Sequence, residues 1–194
     1  MRVDMSGLYS IDFTLSKGRG GCMDDHVLFS ARRRQIMAAK AIPEGYHSVT
    51  PYLVVDGAEE AIRFYERAFG ATEMLRLPMG EKIGHAELRI GDSMVMLSDE
   101  WPDYGKLAPT SRGGATSSLM IYLEDVDAAF GRAVAAGAAV ERPVEDQFYG
   151  DRSGTVTDPF GHSWILSTHV EDVPEDEMQR RMAEFSNQAE AEPA

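Results

Sequence analysis

A repeat constrains this chain more than any other feature. Gly137 follows Gly70 by 67 residues, Ser118 follows Thr50 by 68, and Ile165 follows Met96 by 69. A nearly constant offset with one order of elements marks internal duplication. The chain is therefore expected to fold as two copies of one small unit.

Residues 48–55 are rich in β-branched and aromatic side chains and end at Asp56-Gly57, which predicts a strand. Over residues 58–69, Ala58, Ala61, Ile62, Tyr65, Ala68 and Phe69 share one helical face, and Gly70 stands where a helix ends. Residues 72–79 predict a strand, and residues 83–90 and 93–98 a hairpin about Gly91-Asp92. The second copy repeats this order. A strand over 118–123 precedes a helix over 126–136, whose apolar face holds Val126, Ala129, Phe130, Ala133 and Val134. Gly137 ends it, and strands are expected over 138–144, 154–157 and 163–168. Each copy reads βαβββ. The modules span residues 46–101 and 117–170, one domain over 46–170, joined by a linker rich in Pro, Gly and Ser. The expected class is α+β: two tandem βαβββ modules forming a concave mixed sheet with helices outside.

The flanks read differently. Residues 1–36 show no sustained period and carry Lys17-Gly18-Arg19-Gly20-Gly21 and Arg32-Arg33-Arg34. They are expected to be either a disordered extension or sequence upstream of a natural start at Met37. Residues 174–186 predict a C-terminal helix, with Pro174 in its first turn and a Met178, Met182, Phe185 stripe suited to packing on the body or a second subunit. Residues 187–194 are expected to form a disordered tail.

At 194 residues and 43% hydrophobic content the chain can build a real core. Its 32 acidic against 19 basic residues, a net charge of −13, argue against nucleic acid and anionic lipid as partners. No run of eighteen apolar residues suits a membrane span, and no secretory leader is evident. The single cysteine, Cys22, rules out an internal disulfide. A cytoplasmic location is expected.

Strand alternation assigns the faces. In the first hairpin Ala86, Leu88, Ile90, Val95 and Leu97 should pack on helices, leaving His85, Glu87, Arg89, Met94, Met96 and Ser98 on the other face. There His85 should pair with Ser98, Glu87 with Met96 and Arg89 with Met94. Thr50 and Tyr52 join this face. In the second module Leu119, Ile121, Leu123, Trp164 and Leu166 should face a helix, leaving Ser118, Met120, Tyr122, Ser163, Ile165 and Ser167 opposite. The mixture of Tyr, Met, Ile and polar groups suits the wall of a small-molecule cup.

The segments SVTPYLVVDGAEEAIRFYERAFGA, KIGHAELRIGDSMVML and QFYGDRSGTVTDPFGHSWILSTH resemble the PhnB-type branch of the vicinal oxygen chelate superfamily, the glyoxalase/bleomycin-resistance proteins, over roughly residues 46–173. The resemblance implies the two-module cup and a homodimer. In metal-dependent members it also implies one divalent ion, held at positions equivalent to Thr50, Met96, Ser118 and Ile165. Those side chains are poor ligands for such an ion, so no metal cofactor is expected.

His85 and Glu87 are the sharpest candidates for chemistry. Two apart on one strand face, they suit hydrogen bonding to a ligand, general-base catalysis, or half of a displaced metal site. A structural ion pair with Arg89 is the bland alternative. Residues 147–154 read as a loop able to close over ligand through Tyr149, Asp151 and Arg152. His47, His162 and His169 read as structural, and Trp101 and Tyr104 as rim residues. The expected function is binding of a small organic molecule in the cup. Two alternatives stay open: a lyase, isomerase or dioxygenase with one divalent ion at His85 and Glu87, or a protein-interaction module. Whether any reaction is catalysed is not decided by these residues.

Overall fold

The computed structural model describes residues 39–191. The readings made for residues 1–36, Met37 and residues 192–194 lie outside the described residues.

Module one comprises β1 (Tyr52–Val55), α1 (Ala58–Phe69), β2 (Thr72–Met79), β3 (Lys82–Ile90) and β4 (Ser93–Asp99). A 3₁₀ turn (Pro102–Tyr104) and a short helix α2 (Pro109–Arg112) occupy the linker. Module two comprises β5 (Ser118–Tyr122), α3 (Val126–Ala136), β6 (Ala139–Asp146), β7 (Asp151–Thr157) and β8 (Ser163–His169), followed by α4 (Glu175–Ala191). The sheets have matching orders, β1-β4-β3-β2 and β5-β8-β7-β6, each with one parallel pair, β1 with β4 and β5 with β8. The duplication and the βαβββ order hold.

Three boundaries differ most from the expectation. The first strand begins at Tyr52 rather than residue 48, because Pro51 has no N–H to give the ladder, although its carbonyl accepts from Met96 N at 2.9 Å. The strand β7 starts at Asp151, so the expected loop over 147–154 is only a tight turn at residues 147–150. That turn is closed by Gln147 N to Asp151 O at 2.7 Å and Gly150 N to Gln147 O at 3.0 Å. Gly150 has φ +95, and a Cβ there would lie 2.1 Å from the Glu171 carbonyl. Its own carbonyl accepts from Val170 and Glu171, which docks the turn on the segment after β8. The last helix runs to Ala191, past the expected end at residue 186, so residues 187–191 are helical rather than a tail. Its stripe is only partly covered: Met178 is half-buried, Met182 and Phe185 are exposed, and the Phe185 ring lies 5.5 Å from Phe148. On α3, Val126, Ala129 and Ala133 are buried and Phe130 is half-buried, but Val134 is exposed at the edge of the contact.

Both modules share one core. The helix-facing residues Leu53, Val55, Ala86, Leu88, Leu97, Trp164 and Leu166 are all buried, and α1 and α3 pack on each other. Tyr65 and Phe69 of α1 stack together and meet Trp164 of β8, at 5.4 and 4.8 Å between ring centroids. Burying side chains of this size stabilises a fold by about 2–3 kcal/mol each. Asp158, in the turn before β8, is buried beneath them. It accepts from Tyr65 OH at 2.7 Å, Trp164 Nε1 at 2.8 Å and the backbone N of Phe160 and His162. His162 Nε2 lies 3.1 Å from the carbonyl of Val54, a second link between modules.

Each module also fastens the start of its helix. Asp125 accepts from Ala128 N at 2.9 Å as the N-cap of α3. The first helix begins after Gly57, which has no side chain to offer. Asp99 from β4 supplies the carboxylate instead, accepting from Gly57 and Ala58 N and from Ile83 N on its other oxygen.

Candidate functional site

Alternation on β3 leaves His85 and Glu87 on the face away from the helices, with Tyr52 of β1 and Met96 of β4 beside them; Tyr52 and Glu87 both pair with Met96 in the ladders. On this face the polar groups form a chain. The Tyr52 hydroxyl lies 3.2 Å from His85 Nδ1, His85 Nε2 lies 3.2 Å from Glu87 Oε1, and Tyr46 OH donates to Glu87 Oε2. An ionised carboxylate only accepts, so His85 donates to Glu87 from Nε2, and Tyr52 meets the ring at Nδ1. The hydrogen bond from Tyr46, and then that from His85, hold the Glu87 carboxyl below its usual range against the opposing effect of burial. The same bond, with burial and the Glu87 charge, pushes Tyr46 up to about 12. Tyr46 was not among the sequence candidates. It precedes the first strand, in a stretch without periodicity, and reaches Glu87 only because residues 41–48 cross the sheet face.

The second face holds another cluster. Asp151 is buried and accepts from Tyr122 OH and Ser167 Oγ, each at 3.0 Å, and from His169 Nδ1 at 2.8 Å. Burial pushes its carboxyl up, but the bonds from His169, Ser167 and Tyr122 outweigh this and leave it lowered. His169 Nε2 meets Asp172 at 3.0 Å, and the two carboxylates, Asp151 first, raise the imidazole.

Nine of the fourteen expected ligand-binding residues line cavities, and these nine are spread over five of them. Thr50, Glu87 and Met96 line a cavity of about 490 Å³ walled by Ile42, Pro43 and Tyr46. Tyr52 lines one of about 500 Å³ against the linker. Met94, Met120 and Tyr122 line a crevice of about 630 Å³ between the modules. Ser118 faces a cavity of about 620 Å³ beside Ser163 and Glu141. Tyr149 lines one of about 380 Å³ with His169.

His85, Arg89, Asp151, Arg152 and Ile165 line none of the five. His85 lies within the hydrogen-bond chain and Asp151 beneath Tyr122 and Ser167. Arg89 is exposed and does not pair with Glu87, whose hydrogen-bond partners are His85 and Tyr46. Arg152 lies away from the open sheet face: odd and even positions of β7 point to opposite faces, and Arg152 takes the helix side, bonded to Asp127 of α3 at 2.8 Å and to Asp146 at 3.0 Å. Ser98 does not face a cavity either. It is fully buried, and its Oγ has no hydrogen-bond partner. Trp101 bridges to Lys106 and takes the Lys82 ammonium over its ring at 5.3 Å, while Tyr104 is exposed.

The model of the Glyoxalase/Bleomycin resistance protein/Dioxygenase superfamily matches residues 45–166. The chain belongs to this superfamily. The uncharacterized protein Rv0887c of Mycobacterium tuberculosis is 47% identical over 140 residues, which cover 70% of this chain and 82% of that protein. Among solved structures, TioX from Micromonospora sp. ML1 is 30% identical, covers 63% of this chain and 98% of its own, and superposes with a TM-score of 0.51. The PhnB protein from Bacillus cereus, 21% identical with a TM-score of 0.50 over 63% of this chain and 99% of its own, shares the fold.

The resemblance puts the superfamily's metal ligands at Thr50, Met96, Ser118 and Ile165. This donor set is two hydroxyls, a thioether and a hydrocarbon, and it does not fit a divalent ion. Nor do the four line one cavity. Among the described residues no group of three or more His, Cys, Asp or Glu side chains is placed to hold a metal. No helix there is long and apolar enough to cross a membrane.

Proposed function

We propose that this superfamily member, of the PhnB-type branch, binds a small organic molecule on the open face of its first sheet and uses no divalent ion to do so. The observation that carries the reading is the chain Tyr52–His85–Glu87–Tyr46, which runs from one cavity to its neighbour. Its hydrogen-bonding groups are satisfied by one another, and no third ligating carboxylate, imidazole or thiol joins His85 and Glu87 among the described residues. Ile42, Pro43 and Met96 add apolar wall beside Glu87, the mixture that small-molecule sites use. The proposal keeps the cytoplasm as its location. It also includes a homodimer, to which Met74, Leu75, Leu77 and Met79, exposed along the edge strand β2, offer apolar surface.

Three measurements test it. Metal content of the protein as purified, and after incubation with manganese, iron, nickel or zinc, is expected to stay well below one ion per chain. One ion per chain, lost in His85→Ala, would overturn the reading in favour of metal-assisted chemistry. A thermal-shift screen of small organic molecules is expected to yield compounds that raise the melting temperature and lose at least about tenfold in affinity in Glu87→Ala. A broad library without a hit would count against any binding cup. Light scattering should give the mass of two chains.

A further inference from the structure

We propose that the cavity of about 500 Å³ between β1 and the linker receives the anionic group of the ligand, so that the bound molecule is a small organic anion. This rests on the binding reading above and specifies its chemistry. The cavity is lined by Tyr52 and Val54 from the sheet and, from the linker, by Arg112, Thr116 and Ser117 among others. No acidic side chain lines it, in a chain where acids outnumber bases 32 to 19. One cation lines it, and a second lies beside the Tyr52 ring. Arg112 gives one N–H to the Gly105 carbonyl at 2.9 Å, and Lys106 holds its ammonium 5.6 Å from the centre of the Tyr52 ring. Neither forms an ion pair among the described residues, and Arg112 faces a cavity with no acidic lining.

The carboxylate of Glu87 lies at the other end of the hydrogen-bond chain, with Tyr52 and His85 between it and these cations. The two adjoining cavities therefore differ in sign. A ligand whose anionic end meets Arg112 keeps that charge away from Glu87 and turns its uncharged body toward it. Carboxylate and phosphate share the required chemistry: negative oxygens facing a guanidinium, an ammonium and hydroxyl donors.

The test is calorimetric titration of the full chain with three probes: phenylacetate, phenyl phosphate and the neutral phenylacetamide. At least one anion is expected to bind about tenfold or more tighter than the amide, and the better anion names the group. Raising the salt from about 0.05 M to about 0.5 M should weaken the anion and spare the amide. The double substitution Lys106→Gln with Arg112→Gln, at two exposed positions, should abolish the preference for the anion over the amide. Equal affinity for anions and amide would overturn the anionic subsite and leave the binding reading standing. A preference that survives the double substitution would also overturn it. No binding of any probe would overturn the subsite, while the wider ligand screen would still decide the binding reading.

Discussion

His169 shows how far a local environment can set the behaviour of one side chain. It ends β8 between the buried Asp151 and the exposed Asp172, and both carboxylates favour its protonated form. Its folded-state value is raised above the 6.5 of an unperturbed histidine. The stability that follows is complete below that unperturbed value and is lost as pH rises through the raised folded one. The melting temperature of the native chain should therefore fall relative to His169→Gln as pH climbs from about 6 to about 9. Parallel melting curves of the two proteins across that range check this; curves that keep a constant separation would show that the carboxylates do not act on His169. Asp151 contributes in the opposite window. Its lowered carboxyl adds stability above the unperturbed 3.8, and that stability is lost as the solution is made acid. Strand alternation made His85 and Glu87 legible as neighbours, because positions two apart on a strand share a face. It could not identify Tyr46, which lies 41 residues before Glu87 and meets it only in the folded chain.

At the scale of elements, the two helices and most strands follow directly from periodicity and glycine punctuation. Where strand and loop were misjudged, proline and glycine decided. Pro51 delays β1, and Gly150 tightens the β6–β7 turn so that Asp151 to Gly154 join the sheet. Gly154 has a packing role there. A Cβ at this position would lie 2.8 Å from the Phe130 ring of α3 and 2.9 Å from Val144 of β6. Gly154→Ala is expected to cost about 1–3 kcal/mol through overpacking, read as a lower urea midpoint with an unchanged slope. A neutral result would mean that α3 can withdraw from β7 at little cost. Arg152, two positions earlier, belongs to the same contact, since its bonds to Asp127 hold the start of α3 over the strand.

At the scale of the whole molecule, Asp158 joins the two modules more directly than any other polar group described above. It accepts a hydrogen bond from Tyr65 of the first module and another from Trp164 of the second, and replacing it leaves both buried donors unanswered. Asp158→Ala should cost about 3 kcal/mol or more, measured by equilibrium unfolding, and Asp158→Asn should retain only part of the loss. A cost well under about 1 kcal/mol would mean that stacking among Tyr65, Phe69 and Trp164 suffices without it. The sequence alone determined the duplication, the βαβββ order and the face on which most strand residues lie, because these depend on backbone geometry repeating every two or 3.6 residues. Tertiary structure decided how the candidate residues divide among five cavities, which residues complete the hydrogen-bond chain, and which carboxylate caps α1. Those contacts depend on where the linker and the segment before β1 cross the sheets, and that is set by packing between residues far apart in the chain.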